Sequence, residues 1–172
     1  NFTRAGFVEY FCYGGFVTNT VATGCNRTFG NSAGTGYGHN VISCTDLTIE
    51  NCMVANSRRG IDTSGAGAYC VNTMVNHLLV VGGGRTYTGE WYWPVGTQQQ
   101  SACGSHGTGF MSSYNNVVAV NCFGGLNIRG QNECASDFVQ FGAADRMFNV
   151  NYTSGFIVDG AYYSDLYTET FY

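Results

Sequence analysis

The chain has 172 residues, a formal net charge of −4 and only 10% charged residues, and all seven of its basic residues are arginine. The arginines are scattered, which excludes the basic stripe of a nucleic-acid interface, and no apolar run approaches the roughly 20 residues of a membrane span. With neither an initiator Met nor a signal-peptide pattern at its start, the chain is expected to be a piece of something longer, forming one domain over 1–172.

In chain order, short apolar runs alternate with turn residues. Cys12-Tyr13-Gly14-Gly15-Phe16 opens the series, followed by Asp46-Leu47-Thr48-Ile49-Glu50-Asn51-Cys52 and Leu78-Leu79-Val80-Val81. Val117-Val118-Ala119-Val120 leads into Asn121-Cys122-Phe123-Gly124-Gly125, and Phe156-Ile157-Val158 comes last. Each run is bounded by Gly, Asn or Ser, the punctuation of strands and turns. No segment carries apolar residues at i, i+3, i+4 and i+7, so the chain reads as all-β.

The phrases also repeat. Val120-Asn121-Cys122 through Gly130 has a near copy thirty residues later in Val150-Asn151-Tyr152 through Gly160. Sandwich strands occupy different environments and have unrelated sequences, whereas stacked coils put equivalent residues in equivalent places. Repetition therefore favours a solenoid with coils of about thirty residues and roughly six rungs. Asn tolerates a left-handed backbone, so Asn51, Asn121 and Asn151 are expected to turn corners and form a ladder from rung to rung.

The stretch from Asp46 to Cys52, with Arg59-Gly60-Ile61-Asp62 after it, resembles the rungs of single-stranded right-handed parallel β-helix proteins of the pectate-lyase-like superfamily; Asn116 to Gly130 resembles another. Within that group the Gly-, Asn- and Tyr-rich texture is most similar to a bacteriophage tailspike or appendage. The resemblance implies a homotrimer, located on a virion or at an extracellular surface. It also implies a polysaccharide partner, such as a bacterial capsule or O-antigen, and no cofactor.

Cys52 and Cys122 follow expected corners and Cys12 precedes a glycine turn, so the eight cysteines read as reduced, buried fillers more than as disulfides. His39, His77 and His106 share no finger-like spacing with them, so no metal site is expected. The Asn-x-Thr sequons at Asn1, Asn26 and Asn151 are read as chance occurrences.

The coil pattern is interrupted by an inserted loop over 85–105 that holds both tryptophans and the only proline. Extended backbone puts Trp91 and Trp93 on one face and Tyr92 on the other. With Gln98 and its neighbouring amides, these rings suit the C–H faces and hydroxyl rim of a sugar; the same loop suits packing on the solenoid or at a subunit interface. Cleavage of a polysaccharide by hydrolysis needs two carboxylates, sought among Asp62, Glu90, Glu133 and Asp137. A lyase would need a basic residue in a groove, where Arg129 is the candidate, and Arg129 is also expected to contact substrate. Two functions follow: a tailspike-like protein that binds and also depolymerises host polysaccharide, or a non-catalytic structural or adhesive fibre subunit. Converging carboxylates would mark the first, scattered ones the second.

Overall fold

The computed structural model describes residues 5–25, 36–64, 69–84, 101–105, 109–143, 147–150 and 154–164. They form fifteen strands and no helix. In chain order these are β1 (Ala5–Tyr10), β2 (Tyr13–Thr18), β3 (Val21–Thr23), β4 (Tyr37–Ile42), β5 (Thr45–Ser57), β6 (Arg59–Ser64), β7 (Cys70–Val71) and β8 (Met74–Gly83). There follow β9 (Ser101–Ser105), β10 (Gly109–Phe110), β11 (Ser113–Cys122), β12 (Leu126–Ile128), β13 (Cys134–Ala143), β14 (Phe148–Val150) and β15 (Ile157–Ser164). Every pairing is parallel. A six-stranded sheet runs β1-β4-β6-β9-β12-β14, and a nine-stranded sheet runs from β2 and β3 through β5, β8, β11 and β13 to β15, with β7 and β10 beside the start of β5. The chain therefore leaves one sheet for the other and comes back to lie beside its own earlier strand.

The long strands of the nine-stranded sheet bend at fixed intervals, and glycine or a left-handed side chain sits at each bend. Positive φ recurs every fifth residue: Asp46, Asn51 and Asn56 in β5; Asn72, His77 and Gly82 in and before β8; Met111, Asn116 and Asn121 around β11. Asn132, Asp137 and Gly142 repeat it around β13, and Gly14, Asn19 and Gly24 near the start. Asn, Asp and Gly dominate because they carry the smallest penalty in this region. In register the bends line up: Asn19, Asn51, His77, Asn116, Asp137 and Gly160 form one column. Side-chain amides stitch such columns together, as in Asn72 Nδ2 donating to Asp46 Oδ1 at 2.7 Å and Asn116 Nδ2 to Asn76 Oδ1 at 3.0 Å.

Between bends, two of every five residues point inward. Leu47, Ile49, Cys52 and Val54 are buried in β5, and Val75, Leu78 and Val80 in β8. Tyr114, Val117, Ala119 and Cys122 fill the same places in β11. These columns make the core against the six-stranded sheet, where glycine lets the two walls approach. A Cβ on Gly38 would lie 2.4 Å from Val54 Cγ1, and one on Gly60 would lie 2.7 Å from Val80 Cγ2. Gly6 faces Ala22 in the same way one strand earlier.

Several expectations need correcting. The thirty-residue repeat is not the structural offset: Phe16 pairs Thr48, Thr48 pairs Met74, Met74 pairs Ser113, Ser113 pairs Cys134 and Cys134 pairs Ile157, offsets of 32, 26, 39, 21 and 23. The shortest return is 21 residues, and longer ones carry insertions of different size. Asn51 and Asn121 do turn corners, at φ 54° and 51°, but in different columns, and Asn151 lies outside the described residues. Of the expected loop over 85–105, Ser101–Ser105 is strand β9, buried in the six-stranded sheet, and 85–100 lie outside the described residues. All eight cysteines are free thiols, six of them buried. Burial pushes the Cys44 thiol up to about 12; the Cys12 backbone amide opposes the shift, and the Cys12 and Cys70 thiols add to it.

Candidate functional site

A cleft of about 330 Å³ opens on the outside of the nine-stranded sheet, lined by Tyr69, Val71, Phe110 and Gln131. The register builds it: Val71 pairs Phe110, and Phe110 bridges Gln131, so three side chains from successive neighbours stand in a row about 10 Å long. Tyr69, just before β7, is 64% exposed. The next residue along each segment is a bend: Asn72, Met111 and Asn132, of which both asparagines are exposed. Two aromatic rings thus lie beside one amide in the cleft and two on its rim. Nothing local in the sequence marks these residues, since Val71, Phe110 and Gln131 are far apart and only the five-residue register brings them together.

The acidic residues singled out from the sequence go to different environments. Asp62, on β6, is 1% exposed and accepts a hydrogen bond from Arg59 Nη1 on the same strand. The guanidinium lies over Gly104, where a Cβ would come within 2.7 Å of its Cζ. Glu133 is fully buried beyond the bend at Asn132, so it points inward while Gln131, two residues earlier, faces the cleft. Ser105 Oγ donates to Glu133 Oε2 at 2.6 Å and accepts the Arg129 and Gly130 amides at 3.0 Å each. Burial pushes the Glu133 carboxyl up to about 7, against the pull of the Ser105 and Ser112 hydroxyls and the Gly130 amide.

Asp137 is exposed at a bend of β13, on the opposite side of that wall from Glu133. Arg129 is half-buried, and its backbone amide, rather than its guanidinium, joins the Ser105 network. Tyr114 lies within electrostatic reach of both Glu133 and Asp62; burial first, then Glu133, holds its hydroxyl well above the usual tyrosine range. Two candidate acids are therefore sealed from solvent and the third faces out. Glu90, Trp91, Tyr92, Trp93 and Gln98 lie outside the described residues.

A second polar constellation sits at the first strands. His39 on β4 is completely buried, with Nδ1 2.9 Å from Glu9 Oε1 on β1 and Nε2 2.9 Å from Thr20 Oγ1 between β2 and β3. The Phe7 ring stacks on the imidazole at 4.8 Å and 12°. Cys52 Sγ lies 3.0 Å from Thr20 Oγ1. The sequence offers no motif for this group, whose members come from four separate segments.

Among the described residues, no three His, Cys, Asp or Glu side chains gather to hold a metal ion, and no helix is long and apolar enough to cross a membrane. Comparison with protein-family models, with curated proteins and with solved structures finds no match.

Proposed function

We propose that the chain is a rung-built parallel β-helix whose outer face binds polysaccharide, as in a tailspike-like or adhesive protein displayed on a virion or cell surface. The solenoid reading is supported by the regular alternation between two parallel sheets and by bend columns that run from one edge strand to the other. Right-handed winding follows from the near-universal hand of parallel crossovers. The single observation that carries the function is the Tyr69–Val71–Phe110–Gln131 cleft. Aromatic faces pack against the C–H face of a sugar ring, and amides satisfy its hydroxyls. A linear glycan laid along the stacked strands would meet the Asn72 and Asn132 amides on the rim.

Binding without cleavage is the better-supported half of the reading, because hydrolysis needs an acid and a second carboxylate flanking one bond, and the described carboxylates open onto no common groove. A structural fibre with no ligand is the competing function. The test is a screen of the assembled protein against bacterial capsule and O-antigen polysaccharides, each bound sample then assayed for new reducing or unsaturated ends. The expected result is binding with no new ends. New ends would restore the depolymerase, and an absence of binding by folded protein would leave the fibre.

A further inference from the structure

We propose that Thr20, His39 and Glu9 form a nucleophilic acyl-transfer site for small carboxylic esters, separate from the cleft. The polarity of the hydrogen bonds carries the argument. A carboxylate accepts, so we assign the Glu9 Oε1 contact at 2.9 Å to a proton on Nδ1 of a neutral His39 imidazole. Nε2 then holds a lone pair, and the Thr20 hydroxyl, 2.9 Å away, donates to it. A hydroxyl, a base and a carboxylate that orients the base stand in line, the arrangement by which a hydroxyl becomes a nucleophile. Cys52 Sγ is the weaker acceptor for that hydroxyl, and its own hydrogen has the Glu50 carbonyl at 3.1 Å.

Two further features suit a reactive group better than a filled core. His39 and Glu9 are shielded at 0% and 7% exposure, while Thr20, level with Cys52 in the inward column but between two strands at the edge of the sheet, is only half-buried. Glu9 Oε2 is buried without a partner, so the carboxylate is not consumed by a closed network. Among the described residues β3 pairs on one side only, with β5, which leaves backbone amides on its other side to meet a developing oxyanion.

In the reaction, Thr20 Oγ1 attacks the ester carbonyl carbon as its proton passes to His39 Nε2. Collapse of the tetrahedral adduct breaks the bond to the leaving alcohol, which takes that proton, and acyl-Thr20 remains. Water then attacks the acyl carbon, His39 again receives and returns a proton, and a carboxylic acid leaves with Thr20 restored.

The experiment uses p-nitrophenyl acetate with the full chain, followed by intact mass measurement and peptide mapping. One acetyl group on Thr20 is expected. Hydrolysis should fall by on the order of 10²-fold or more in Thr20→Val and in His39→Gln, and Thr20→Ser should retain the adduct. Thr20→Val keeps the side chain's shape, and its thermal unfolding midpoint checks that the fold survives. Should it fail to fold, the location of the acetyl group in the wild type decides alone. Unmodified Thr20 in the wild type, or hydrolysis as fast in a folded Thr20→Val protein, would overturn the proposal and leave the three residues as an internal polar contact.

Discussion

Glu133 is the residue at which burial and chemistry conflict most openly. It occupies the inward column that Leu47 fills in β5 and buried Thr73 and Ser112 fill on the strands between, so a carboxyl with the larger desolvation cost continues a run of small hydroxyls. Its folded value of about 7 lies above the ordinary 4.5, so the folded protein holds this proton more tightly than the unfolded chain does. Stability is then greatest below pH 4.5, declines as pH rises through the window from 4.5 to 7, and levels off above it. The shift corresponds to about 3 kcal/mol. Glu133→Gln should flatten that decline and unfold at higher denaturant than the wild type at pH 8, measured by urea titration across the window. The sequence made Glu133 a candidate acid because it follows a repeated phrase. That phrase does not reveal the side it faces, which depends on the bend at Asn132.

At the scale of the elements, the five-residue interval between bends explains both what was legible and what was not. Runs bounded by Gly and Asn are readable as strands because β-branched and aromatic residues sit between turn formers. The inward positions step by two and then by three, as in Leu47, Ile49, Cys52 and Val54, which matches neither strand alternation nor a helical face. A search for those two periods finds strands without their faces. The thirty-residue echo misled because Val120 lies on β11 of the nine-stranded sheet and its counterpart Val150 on β14 of the six-stranded one, so similar phrases occupy different places. The glycine column of the six-stranded sheet yields a sharp expectation. Gly38→Ala would drive a methyl against Val54 and the Gly60 carbonyl and should cost about 1–3 kcal/mol. Adding Val54→Ala should recover part of that loss, read as non-additive midpoints in a double-mutant cycle.

For the whole molecule, sheet order puts β5, β8, β11 and β13 between neighbours on both sides, while β15, among the described residues, has a neighbour on one side and is exposed nearly throughout. Tyr13 and Phe16 on β2, at the other edge, are 86% and 78% exposed. The cleft lies away from both edges, on β7 and β10 beside the start of β5, and that placement gives it a rigid backing. The aromatic and amide residues expected to bind sugar, Trp91, Tyr92, Trp93 and Gln98, lie outside the described residues, and an all-β chain was readable from composition and punctuation. The particular surface was not, because Tyr69, Phe110 and Gln131 become neighbours only through pairings between distant segments. Whether these residues hold a glycan decides between a binding protein and a bare fibre. The deciding measurement is an isothermal titration of a polysaccharide recovered from the screen into wild-type protein and into Tyr69→Ala/Phe110→Ala, both replaced side chains being on the surface of the fold. At least a tenfold loss of affinity with an unchanged unfolding midpoint is the predicted result, in line with about 1–3 kcal/mol for a lost aromatic stacking face. Equal affinity in the two proteins would contradict it.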